Sequence, residues 1–170
     1  NKAMSKAYKP ARERITEFKI NWNIVSWPGS AWASRVFPNI PVDEAIVKLA
    51  DAIFDASRAS VDDPIKAWDD HNEKLRIKTK WLNEQNFAAL QYNGPNTDLK
   101  IGLADEHEWM GGASQAQNGI ICNPNIPSEE VFTTPHAYKV EGTVSSTKPL
   151  SYQGTLIDNI NVTFKEGKII

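Results

Sequence analysis

Near residue 86 the apolar residues of this chain change their spacing, from steps of three and four to steps of two, and nothing else in it limits the fold as tightly. Steps of three and four put side chains on one stripe of a helix, whereas steps of two put them on one face of a strand. Before the change, Met4, Tyr8, Ala11, Ile15 and Phe18 mark a helix over residues 3–18, where Pro10 predicts a kink or a late start. Residues 20–27 alternate and stop at Pro28-Gly29, which predicts a strand ended by a turn. A short helix is expected from Ser30 as N-cap to Val36, closed by Pro38. Pro41 opens a clearer helix over 41–58, with Asp43 and Glu44 in the first turn and Ile46, Leu49, Ile53 and Phe54 as its apolar stripe. A fourth helix runs from Pro64, capped by Asp62 or Asp63, to about residue 84, with Ile65, Trp68, Asn72, Leu75, Thr79 and Leu82 on one face.

After the change, strands are expected over residues 87–92, 98–103, 119–122, 130–133, 138–147, 155–164 and 168–170. Turns are expected at 93–96, Gly111-Gly112, Gln153-Gly154 and 165–168. The fold class is therefore α+β, with residues 1–86 as an α/β part and residues 87–170 as a mainly antiparallel β part. Five of the six tryptophans fall in the helical half at core-compatible spacings, which predicts core packing or an interface with further segments.

Composition removes several classes of function. Lys and Arg number 19 against 21 Asp and Glu, well mixed and without a basic patch, which argues against a nucleic-acid partner. No apolar run approaches the roughly 20 residues that span a bilayer, so no membrane partner is expected. Cys122 is the single cysteine, so no intrachain disulfide can form, which fits a cytoplasmic location.

The chemistry concentrates in residues 123–149, where Glu129 and Glu130 sit side by side in an expected strand. A carboxylate taken out of water is costly unless a cation holds it, so one of the two is a candidate metal ligand. On a strand Ile126, Ser128, Glu130, Phe132 and Thr134 share one face, and Pro127, Glu129, Val131 and Thr133 the other. Only one acid can then enter a given pocket, and the residues alone do not say which. The alternative is an edge strand with two solvated glutamates. Asp105-Glu106-His107-Glu108 matches no zinc-site spacing and reads as a solvated loop. Asp69-Asp70-His71 lies on a helix, where successive side chains diverge by about 100°, so these groups do not converge on one ion. His71 and Asn72 are expected instead to orient neighbouring loops. His136 is near enough to the carboxylates to stand at a pocket mouth. Lys148 is placed to contact a substrate carboxylate or to cover an apolar edge with its stem.

Residues 125–135 (NIPSEEVFTTP) followed by 141–159 (EGTVSSTKPLSYQGTLIDN) resemble the signature of the M29 family of thermophilic-type metalloaminopeptidases. Residues 30–38 (SAWASRVFP), 71–83 (HNEKLRIKTKWLN), 92–103 (YNGPNTDLKIGL) and 109–112 (WMGG) agree with it in order, so the resemblance covers essentially the whole chain. It implies a parent enzyme more than twice this length that removes N-terminal residues from peptides with two divalent metal ions, zinc or cobalt. By position in the motif it implies Glu130 as a metal ligand, with Glu129 as the second choice, and Ser128, Thr133, His136 and Lys148 as groups that orient that ligand or meet substrate. The other ligands would lie beyond Ile170, which implies an internal fragment: the end of an α/β domain over 1–86 and the β-rich start of the metal-binding domain over 87–170. The implied partners are peptides, the remaining segments of the parent and a second copy in a homodimer. The fragment alone is expected to be inactive and to hold no metal tightly. Two rival readings stand beside this one: a non-catalytic β-rich binding domain presenting Glu129, Glu130 and Lys148, and a structural or dimerisation domain using the tryptophan-rich helical half.

Overall fold

Helices fill the first half of the chain and strands most of the second in the computed structural model, which describes residues 2–152 and 155–170. The turn expected at Gln153-Gly154 lies outside the described residues. In chain order the first elements are α1 (Lys2–Thr16), β1 (Ile24–Val25), α2 (Ser30–Val36), α3 (Val42–Ala56) and α4 (Pro64–Gln85). There follow β2 (Ala89–Gly94), β3 (Thr97–Leu103), β4 (Met110–Gly111), β5 (Ser114–Gln115), β6 (Ile121–Cys122), β7 (Asn125–Ile126) and β8 (Val131–Phe132). The last strands are β9 (Pro135–Ser145), β10 (Leu150–Tyr152), β11 (Thr155–Ile157), β12 (Asn161–Lys165) and β13 (Lys168–Ile169). The class is α+β: β2 with β3, β3 with β9, β9 with β12, β12 with β13, β10 with β11 and β5 with β6 pair antiparallel, β1 with β7 pairs parallel, and β4 pairs with β8.

Packing divides the chain into two units, Asn1–Lys78 with Gly111–Val131, and Thr79–Met110 with Phe132–Ile170. The core of the first is built on α2 and α3, where Ala33, Ala45 and Leu49 are buried and Phe37, Ile40, Ile46 and Ile53 pack against them. Small residues at 33 and 45 let the helices approach closely. Ala45 joins this buried face, whereas Phe54, which the expected stripe included, is exposed. On α4 the expected face is seen over Trp68, Asn72, Leu75 and Thr79, while Ile65 faces solvent. Asp63 caps that helix by accepting from the Lys66 N–H at 2.9 Å. The cap of α2 is Gly29 rather than Ser30, which is already helical. Pro10 lies within α1, which begins at Lys2, so the late start that the proline suggested does not occur. Trp27, Trp32 and Trp81 are exposed and the other three tryptophans half-buried. Of the two roles expected for them, core packing is met only in part among the described residues, since a ring of that size is rarely enclosed on all sides.

The second unit carries a five-stranded antiparallel sheet in the order β13-β12-β9-β3-β2. Leu99 and Leu103 of β3 are its buried apolar residues. The single strand expected over 155–164 is two, β11 and β12, since Asn159 takes a left-handed φ of 53° between them. Gly142 in the central strand β9 has φ +110°, and a Cβ there would lie 2.0 Å from the Asp98 carbonyl oxygen.

Candidate functional site: a carboxylate loop tied to two helices

The site begins where α3 ends. Its last turn closes on Ser57, and Arg58 then takes a left-handed φ of 57°, its N–H donating to the Asp55 carbonyl at 3.1 Å. Ala59 donates to the Phe54 carbonyl at 2.8 Å. This is the helix-ending position that glycine ordinarily fills, and a side chain there costs about 1–2 kcal/mol. The side chain that occupies it is put to use. Its guanidinium lies 5.4 Å from the centre of the Trp68 ring, on α4. The Trp68 indole N–H donates to the Ser57 carbonyl at 2.8 Å, so ring and helix end are joined.

From that perch Arg58 forks onto Glu129, with contacts of 2.6 Å to Oε1 and 3.0 Å to Oε2. The two hydrogen bonds hold the Glu129 carboxyl below the usual glutamate range, against a smaller opposing effect of burial and with help from the charges of Arg58 and Lys78. The same bonds raise Arg58 above its ordinary value.

One turn along α4 from Trp68, the buried His71 donates from Nε2 to the Ser128 carbonyl at 2.6 Å. Its ring meets Trp68 edge-on at 5.5 Å, and Nε2 lies 3.6 Å from Glu129 Oε2. Beside it, Asn72 and Asn123 exchange amide hydrogen bonds of 2.9 and 2.8 Å, and Asn72 Oδ1 also accepts from the Ala113 N–H at 3.1 Å. His71 and Asn72 thus orient the loops at 113, 123 and 128, as their helical placement leads one to expect.

Glu129 and Glu130 do not lie on a strand. The strand expected over 130–133 shrinks to Val131–Phe132, and both acids fall in residues 127–130, after the cis Ile126–Pro127 peptide. Alternation of faces therefore does not sort them; Arg58 does. Glu129 is paired, whereas the exposed carboxylate of Glu130 makes no ion pair or hydrogen bond among the described residues. Ser128 contributes its carbonyl to His71. The other three candidates belong to the second unit. There the Thr133 hydroxyl donates to the Glu108 carbonyl at 2.7 Å and His136 Nδ1 accepts from the Tyr138 N–H at 3.2 Å. Lys148 is exposed between β9 and β10. His107 donates to the Ala104 carbonyl at 2.9 Å inside its own loop, as the solvated-loop reading of 105–108 has it.

Arg58 was not singled out by the sequence, where it is the last residue of the helix expected over 41–58; the structure ends that helix at Ala56 and leaves Arg58 at the helix stop, a place that favours glycine. A free carboxylate on a tied loop suits a divalent cation in the chemistry of its oxygens. It suits one coordination position only, since among the described residues no group of three or more His, Cys, Asp or Glu could hold an ion.

The model of the peptidase M29 family, described as thermophilic metalloprotease, matches residues 1–170. Aminopeptidase T of Thermus thermophilus is 50% identical over 166 residues, covering 98% of this chain and 41% of that protein. Aminopeptidase 2 of Geobacillus stearothermophilus is 43% identical over 170 residues, again covering 41% of that protein. The solved structure of wild-type AmpT from Thermus thermophilus superposes with a TM-score of 0.89 at 46% identity, covering 98% of this chain and 40% of that one. The chain spans about two fifths of the length of the curated relatives it matches.

Proposed function

The chain belongs to the M29 family of thermophilic metalloproteases, and from that premise we propose that it forms part of a longer aminopeptidase that hydrolyses N-terminal residues from peptides. In this reading Glu130 supplies one ligand to a pair of divalent ions, zinc or cobalt, whose other protein donors come from segments outside these residues. When bound, such ions polarise a scissile carbonyl and lower the pKa of a bound water. What this chain contributes is a hard anionic oxygen donor held on a loop that Arg58 and His71 tie down.

The observation that carries the reading is the division between the two acids: Glu129 is neutralised by Arg58, and Glu130 is left unpaired and exposed. The same reading makes these residues inactive by themselves, because one carboxylate falls short of the three or four protein ligands of an ordinary zinc site. It also extends to a homodimeric, cytoplasmic parent, in which residues 1–86 close an α/β domain and residues 87–170 open the metal-binding one. Support for these last points is family membership and the single, half-buried Cys122. Among the described residues no helix is long and apolar enough to cross a membrane.

Glu130→Gln in the full-length protein tests the reading. It is expected to weaken Co(II) binding, followed by calorimetry with the metal alone, by at least about tenfold, since a neutral amide is a poorer donor for a hard cation. Release of the N-terminal residue from a short peptide should fall with it. Unchanged affinity and unchanged hydrolysis would overturn the assignment.

A further inference from the structure

We propose that Arg58 and His71 are positioning residues: they tie back Ser128 and Glu129 so that Glu130 alone is turned out for a cation. The inference rests on the reading of Glu130 as a metal ligand and adds to it a division of labour between the two acids.

Three features of the geometry point the same way. Arg58 stands where glycine is favoured, in a left-handed conformation at a helix end, and strain kept at such a place calls for a side chain that uses it. That side chain is itself anchored, over Trp68, before it reaches Glu129 through both carboxylate oxygens. His71, buried on α4, holds the neighbouring backbone through the Ser128 carbonyl. Two consecutive residues are thus tied through different atoms, one by main chain and one by side chain, and the next is the first left free.

The tie-back acts in two ways. It limits the backbone directions available to residue 130. It also occupies a second carboxylate that, released, would compete for the same cation from an adjacent position. Neutralising Glu129 with a fork of two hydrogen bonds leaves it few lone pairs for a metal.

The test uses the full-length protein, with Co(II) alone as probe and amide hydrogen exchange over residues 128–131 as an independent readout. Arg58→Gly removes the guanidinium while relieving the left-handed backbone, so the fold is retained. It is expected to weaken Co(II) binding about 10–100-fold, the range seen when groups supporting a metal ligand are lost, and to speed exchange over 128–131. Glu129→Gln should do the same, the double variant should be no worse than either single one, and Arg58→Lys should recover part of the affinity. If Arg58→Gly leaves Co(II) affinity within about twofold while Glu130→Gln abolishes it, the positioning role is wrong and the assignment of Glu130 survives. If Glu130→Gln leaves affinity unchanged, it is the underlying reading that fails. If Glu129→Gln costs a further tenfold or so in the Arg58→Gly background, Glu129 is a donor in its own right and the tie-back is refuted.

Discussion

Replacing Gly142 by alanine is the most severe single-methyl change that the strands of the sheet, as distinct from its turns, offer for test. Gly142 lies in β9, opposite Leu99 of β3 on one side and Phe164 of β12 on the other. An added Cβ would sit 2.0 Å from the Asp98 carbonyl oxygen, 3.1 Å from its carbon and 3.2 Å from Leu99 Cα. A close carbon–oxygen contact needs roughly 3.3 Å, so β3 and β9 must part by more than an ångström, on a strand spacing of about 4.8 Å. The backbone also has to abandon φ +110°, which an L side chain rarely adopts. A strained backbone position costs about 1–3 kcal/mol, and loosening two ladder hydrogen bonds adds about 1 kcal/mol each. Alanine at 142 should therefore destabilise the second unit by about 3–5 kcal/mol, a large part of a typical domain's stability. Urea unfolding with hydrogen exchange across β3 and β9 would measure it. Gly94→Ala is the control, since no atom lies within 4 Å of the Cβ it would add in β2. If Gly142→Ala and the control both unfold within about 0.5 kcal/mol of the parent protein, the account of the central strand is wrong.

Two further outcomes follow from the helices. Leu75→Ala empties the most buried large side chain, 2% exposed, and should cost about 2–4 kcal/mol by chemical denaturation; a loss under about 1 kcal/mol would mean the site collapses around the cavity. The exposed Glu73 carboxyl, held below the ordinary glutamate range chiefly by hydrogen bonds from Arg76 on the next turn, should titrate low by carbon-detected NMR and return toward the ordinary value in about 1 M salt. Because the folded value is the depressed one, the small stabilisation from this pair is present above the unfolded pKa and disappears as pH falls through the folded value. A Glu73 that titrates as an isolated glutamate would contradict the pairing.

The helices were legible in the sequence for a local reason. The starts of α3 and α4, the end of α4 to within a residue, and the stripe from Trp68 to Thr79 follow from spacing and from which residues tolerate a helix end. By contrast, α3 stops two residues short of the expected 58, and the structure chooses Asp63 over Asp62 as cap. The roles of His71 and Asn72 were legible too, because a helix holds adjacent groups apart and so assigns them to different neighbours. The carboxylate site was legible as two candidate acids and no further. Reading residues 126–134 as a strand put them on opposite faces, but β8 spans only Val131–Phe132, and with the strand went the rule that would have sorted them. Their partner, Arg58, stands 71 residues from Glu129, beyond any local period.

By itself, then, the sequence determined the helical and β halves, the fold class and the stretch that carries the acids, since propensity, capping and periodicity act over a few residues. Only the tertiary structure decided which acid is neutralised and which is left free. That choice depends on one guanidinium delivered by the end of α3, braced on a ring of α4, to a loop far along the chain. Charges separated by so many residues meet only once the helices have packed, and until then neither glutamate differs from the other.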